Sequence, residues 1–160
     1  MIIELLGFVF TIMVGTVGHF LYEKSNYNKV IGFLFSKNES TWEHMKLGIT
    51  PIILWTIVEL STYNFNNLFF AKFVSIIAFS LSLYILYYGY KKIVRRNILF
   101  LDILVFYISL FLATVVSINI LMNMGYGVLL NFLGFVGIIF ILYLYKKFSK
   151  DNFDLSIFKE

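Results

Sequence analysis

The chain has no cysteine, a single proline (Pro51) and only two histidines, and 14% of its 160 residues are charged. Without cysteine there is no disulfide, no thiolate metal site and no cysteine nucleophile. No glycine loop with phosphate-binding spacing occurs, so the chain is not itself an ATPase. The zinc-protease pattern His-Glu-x-x-His is also missing, because Glu43-His44 lacks the histidines that frame it. No linker divides the sequence.

What remains is apolar: 60% of residues are hydrophobic and 20% aromatic, with a mean hydropathy of +0.85. A soluble domain of this size cannot bury that much apolar surface, since about half apolar residues is the usual limit. A lipid-facing exterior removes the difficulty, and the chain reads as one integral membrane domain. A span needs about 20 apolar residues, and five segments qualify, at about residues 2–22, 47–63, 68–90, 98–122 and 127–145. The expected fold is an all-α, polytopic membrane helix bundle with five transmembrane helices. The runs are too long and too continuously apolar for the alternation of a barrel.

The net charge of +4 is a matter of topology rather than of nucleic-acid binding. Lys24, Lys29, Lys37 and Lys46 follow span one. Lys91, Lys92, Arg95 and Arg96 follow span three, and Lys146, Lys147, Lys150 and Lys159 follow span five. The connections at 64–67 and 123–126 carry no basic residue, and Lys72 alone is left for the far side. The positive-inside rule then predicts an outside amino terminus, a cytoplasmic carboxyl terminus and a short cytoplasmic tail at 146–160 in the plasma membrane. Span one lacks the charged lead and cleavage site of a signal peptide and is expected to be retained. Tyr84, Tyr87, Tyr88, Tyr90, Tyr143 and Tyr145 fit an interfacial aromatic belt.

Small residues predict the packing faces. Span one carries Gly7, Thr11, Gly15 and Gly18, span four Ser109, Ala113 and Ser117, and span five Gly127, Asn131 and Gly134 with Gly137 nearby.

Groups able to bind metal or move protons are scarce, and most crowd one cytoplasmic window. His19, Glu23, Asn38, Glu39, Glu43 and His44 form the candidate polar site. His19 and Glu23 are four apart, so they share a helix face if span one continues that far. Imidazole and carboxylate together suit zinc, manganese or iron, and His19, Glu23, Glu43 and His44 are the expected ligands of such a divalent ion. Ser40-Thr41-Trp42-Glu43 also reads as a capping box, with Glu43 reaching back to Ser40, and Trp42 reads as an interface anchor. The cytoplasmic segment 24–46 includes the apolar run Val30-Ile31-Gly32-Phe33-Leu34-Phe35, too short to cross. It is expected to lie in the interface and fold back, bringing Asn38–His44 towards His19. Inside the spans, Glu59 is the intramembrane acid, a functional candidate by its cost in lipid. Asn119, Asn123 and Asn131 are expected to join it in a second polar cluster. Asp102 is expected to pair locally with Arg95 and Arg96.

The strings Gly18-His19-Phe20-Leu21-Tyr22-Glu23 and Asn38-Glu39-Ser40-Thr41-Trp42-Glu43-His44-Met45-Lys46 resemble the signature of a family of small bacterial multi-spanning membrane proteins of unknown function. The likeness runs the whole length, with its specific part in the first third. It implies a shared polytopic fold and no particular activity. The Phe-, Lys- and Asn-rich style resembles that of low-GC Gram-positive bacteria. Three functions stay open: a metal- or ligand-binding site, as an enzyme a metal-assisted hydrolase of interfacial lipid or peptide; a substrate-binding or transport subunit centred on Glu59; and a non-catalytic immunity or assembly factor. The expected partners are the lipid bilayer and, beyond it, other membrane proteins or further copies of the chain.

Overall fold

The computed structural model describes residues 2–62, 67–96, 98–123, 125 and 127–148, and these are helical apart from turns and connections. Five long helices and one short one follow in order: α1 (Ile2–Lys24), α2 (Lys29–Leu34), α3 (Thr41–Glu59), α4 (Leu68–Val94), α5 (Leu99–Met122) and α6 (Val128–Phe148). Four of them, α1, α4, α5 and α6, are long and apolar enough to cross a membrane. At about 1.5 Å per residue, the 23 residues of α1 reach roughly 35 Å, beyond the ~30 Å hydrocarbon core.

The exception is α3, which carries Glu43, Lys46 and Glu59, all buried between neighbouring helices. It runs the length of α1 in the opposite sense: His44 near its start meets His19, while Glu59 at its end shares Lys72 with Glu4 at the start of α1. Its apolar run ends at Leu60, short of the expected boundary at residue 63, which lies outside the described residues along with the connection 64–66 and the tail from 149.

The small-residue faces pack as expected except at Gly127, which is exposed with nothing within 4 Å of a Cβ built on it because it precedes the start of α6. In α1 the buried positions are Glu4, Gly7, Thr11, Gly15 and Gly18, while Leu5, Leu6, Val9, Met13 and Val17 stay exposed on the outer face. A Cβ on Gly15 would stand 2.7 Å from the carbonyl oxygen of Leu47, so the backbones of α1 and α3 touch there. Helix α4 is the hub, packing on α3, α5 and α6. Its buried residues Leu68, Ala71, Lys72, Ser75, Ile76, Phe79 and Leu83 recur at three- and four-residue steps. Ser109, Ala113 and Ser117 face inward from α5. On α6, a Cβ at Gly134 would lie 2.5 Å from both N and Cα of Phe70. Because those are backbone atoms, no rotamer change makes room. Gly134→Leu is therefore expected to lower the thermal unfolding midpoint in detergent, at a cost of about 1–3 kcal/mol from overpacking. Gly89→Leu, with nothing within 4 Å of its Cβ, should leave the midpoint unchanged.

Three expectations need correction. Tyr145 is not part of an interfacial belt but fully buried, with Phe33 and Trp42 edge-on to its ring. Trp42 thus packs inward, against Tyr145 and Phe148, rather than anchoring at the interface. Tyr84 and Tyr143 are exposed as a belt requires. The partner of Asp102 is the hydroxyl of Tyr90, which donates to its carboxylate, and not an arginine.

Candidate functional site

The site is built by the fold-back between α1 and α3. Asn26 and Tyr27 turn the chain with φ of 55° and 60°, and Asn28 then caps α2, its Oδ1 accepting from the backbone N of Val30 at 2.8 Å. Of the last carbonyls of α2, that of Ile31 accepts from the Phe35 N–H, and α3 supplies donors to two others. Lys46 Nζ donates to the Gly32 carbonyl at 3.0 Å, and Thr50 Oγ1 donates to that of Leu34 at 2.6 Å. Phe35 closes over Gly18 of α1, whose absent side chain leaves the ring its place. The segment is thus held to both helices, and the loop 36–40 emerges beside His19.

Glu43 organises this loop from below. It is buried, forms an ion pair with Lys46 at 2.6 Å and accepts from the backbone N of Lys37 at 2.8 Å. The capping box is half present: Ser40 Oγ accepts from the backbone N of Glu43, but the Ser40 N–H donates to Asn38 Oδ1 at 3.1 Å rather than to Glu43. Asn38 also receives the Ser36 hydroxyl on its carbonyl at 2.7 Å. Its role is to shape the turn that presents Glu39.

At that turn three groups converge. His19 Nε2 stands 3.5 Å from one oxygen of Glu39, and His44 Nε2 stands 3.4 Å from the other. The two rings are 5.4 Å apart between centroids. One ligand atom from each of His19, Glu39 and His44 lies within 4.8 Å of the other two. Both N···O distances exceed a good hydrogen bond, about 2.7–3.2 Å. A tetrahedral ion with bonds of 2.0–2.2 Å sets neighbouring ligand atoms roughly 3.4 Å apart, so three atoms within 4.8 Å of one another are near that arrangement. The side chain of Glu39 is 68% exposed, and the histidines are about one-third exposed at 30% and 33%. The triad is open on its outer side, against a cleft of about 210 Å3 lined by His19, Tyr22, Glu23, Lys37 and Glu39 among others.

Histidine orientation completes the geometry. His44 Nδ1 lies 3.0 Å from the Ser40 carbonyl, one turn back on the same helix end. A carbonyl only accepts, so Nδ1 carries the hydrogen and Nε2 is the nitrogen turned towards Glu39. Such a second contact is what holds a metal-ligating imidazole in its tautomer.

Of the four residues expected as ligands, His19 and His44 come together. Glu23 extends α1 one turn beyond His19, as expected, and lines the adjoining cleft rather than joining the close triad. Glu43 is turned inward onto Lys46. Glu39, expected in the polar site but not among the ligands, is the carboxylate that meets both rings. At the opposite end of the bundle, Glu59 does not gather the asparagines. Asn119 bonds the Val115 carbonyl of its own helix, and Asn123 accepts on its carbonyl from Asn67. Asn131 accepts from the backbone N–H groups of Phe69 and Phe70, capping α4 from α6. Glu59 instead meets Lys72 at 2.6 Å, and Glu4 meets the same Nζ at 2.5 Å. Of these partners the sequence marks Lys72, the one basic residue of the far side. What it lacked was the antiparallel register that sets residue 4 beside residues 59 and 72.

Neither a curated protein nor a solved structure matches the chain. Residues 2–160 match a family of unknown function, DUF6512, and the chain belongs to that family.

Proposed function

We propose that the chain is a five-span protein of a bacterial plasma membrane, with α3 as the fifth span, and that His19, Glu39 and His44 bind a divalent transition-metal ion at its cytoplasmic face. The observation that carries the metal reading is the convergence of two imidazole nitrogens and one carboxylate from three chain segments, at N···O separations of 3.4 and 3.5 Å. Two histidines and one carboxylate with an open outer side suit zinc or ferrous iron, with a position left for water or a ligand. Supporting the orientation, Lys24, Lys29, Lys37, Lys46, Lys91, Lys92, Arg95, Arg96, Lys146 and Lys147 belong to the same ends of the helices as the triad, and Lys72 alone belongs to the other. The activity this arrangement supports is hydrolysis of an ester or amide presented at the interface, Glu23 in the adjoining cleft accepting the proton of the attacking water.

Elemental analysis of protein purified in detergent without chelator tests the binding. The expected result is about one zinc, iron or manganese per chain, lost in Glu39→Gln at unchanged helicity. Absence of metal from the wild type, with no uptake when any of the three ions is titrated in, overturns it.

A further inference from the structure

The far end of the bundle holds a second polar cluster, independent of the metal reading. Glu4 of α1, Glu59 of α3 and Lys72 of α4 are all buried, with 4%, 0% and 3% of their surface exposed. Lys72 Nζ lies 2.5 Å from Glu4 Oε1 and 2.6 Å from Glu59 Oε2. The contact with Glu4 is a directed hydrogen bond. That with Glu59 is an ion pair off the hydrogen-bond direction, and neither Glu59 oxygen receives a directed donor. Among the described residues, Glu4 and Lys72 are the charged groups facing Glu59. From α5 the adjoining cavity is lined by Leu110, Ala113, Thr114 and Ser117, none of them charged, and the described residues of α6 carry no charge before Lys146 at the opposite end.

Counting charge decides what this cluster needs. Two ionised carboxylates and one ammonium sum to minus one, enclosed in protein at the edge of a hydrocarbon layer. An uncompensated buried charge is strongly unfavourable. The small cations that would balance it are sodium and the proton, and Lys72 already fills the position between the two carboxylates. A proton needs no further coordination space, and it gives Glu59 a donor of its own.

The adjoining cavity supplies a second, separate sign of a missing ligand. It is lined by Glu4, Gly7, Thr11, Trp55, Lys72 and Ser117 among others, and its volume of about 20 Å3 has room for a water. Trp55 Nε1 and Ser117 Oγ are buried without a hydrogen-bond partner. Ser117 is 2% exposed. A donor and a hydroxyl left open on the wall of a cavity that Glu4 and Lys72 also line form a water site. Gly7 keeps that wall thin, since a Cβ there would strike the Trp55 indole at 2.4 Å.

We propose that Glu4, Glu59 and Lys72 form a proton-binding site inside the membrane domain, the two carboxyl groups carrying one exchangeable proton and trading it with water in the cavity walled by Thr11, Trp55 and Ser117. The proton moves between a carboxyl oxygen and that water, and no bond other than O–H is made or broken. The site lies at the end opposite His19, Glu39 and His44.

Infrared titration of the full chain in lipid nanodiscs, with glutamate carboxyls labelled with carbon-13, reads this directly. At neutral pH the wild type should show one protonated glutamate carbonyl stretch that shifts with the label. Either Glu4→Gln or Glu59→Gln leaves one carboxylate opposite one ammonium, so each single change should remove the band entirely, while Glu39→Gln keeps it. The wild-type spectrum decides even if a variant fails to fold. No protonated glutamate at neutral pH overturns the proposal. So does a band that survives both single substitutions, or one that appears only when sodium is withdrawn, which would make the occupant a metal cation.

Discussion

Replacing Lys72 by methionine is expected to be among the most destabilising single changes in the chain, costing about 3–5 kcal/mol. The side chain itself is easily accommodated, because methionine retains the length of the lysine stem. The loss lies in what remains: Glu4 and Glu59, both buried and both ion-paired with the one Nζ, would face each other without its charge. The effect should depend on charge rather than on volume. Lys72→Met combined with Glu4→Gln and Glu59→Gln removes all three ionisable groups and should recover most of the stability, because a buried ionic cluster exchanged as a whole is close to neutral. Reversible unfolding in mixed detergent micelles measures the difference. If the single and triple variants unfold at the same point, the cluster contributes through packing alone. The ends of α1 and α3 that meet there would then be held by contacts such as Gly7 against the Trp55 indole.

Much of the bundle was legible because lipid imposes simple requirements. Apolar length marked the helices, and small residues at four-residue spacing marked the faces that touch. Gly7, Thr11, Gly15 and Gly18 are buried, as are Ser109, Ala113 and Ser117, since only small side chains let helix backbones approach closely. The fold-back of residues 24–46 was also readable, from an apolar run too short to cross. What could not be read were pairings that depend on axial register between helices distant in sequence. Asn131 looks like a polar group seeking an acid, yet it satisfies the first N–H groups of α4, whose own N-cap Asn67 makes no side-chain cap bond.

The same limit explains the carboxylates of the site. Helical spacing pairs His19 with Glu23, and that spacing is real, because α1 does run through Glu23. A stronger requirement falls on Lys46, an ammonium fully enclosed by the bundle. It draws Glu43 inward, and the Lys37 N–H adds a second donor that holds it there. Glu39 is left at the tip of the turn with no internal partner, free to stand between two rings. The spacing of Glu39 and Glu43 could not show which would point out. The buried lysine three residues after Glu43 was the available sign.

This division between the two glutamates yields the sharpest test of the site. His19→Ala and His44→Ala should each weaken zinc binding on the order of 100- to 1000-fold, more than the 10- to 100-fold typical of losing an outer partner. Each removes one of three converging nitrogen and oxygen ligands, and the remaining pair cannot enclose the ion. Glu43→Gln should act in the opposite way. It leaves Lys46 buried without its carboxylate, so the unfolding midpoint should fall, but zinc affinity measured on the folded fraction should drop no more than an outer partner's loss allows. Glu23→Gln should lie between, affecting affinity only if its carboxylate swings in as a fourth ligand. Competition against a chromogenic chelator gives the affinities, and circular dichroism gives the midpoints on the same samples. If Glu43→Gln abolishes zinc binding while Glu39→Gln preserves it, the ion is held on the inner side of α3 and the exposed triad is not its site. If both histidine variants bind as the wild type does, the rings meet across Glu39 for the sake of the loop. The polar window would then serve to fasten α1 to α3 at the membrane face.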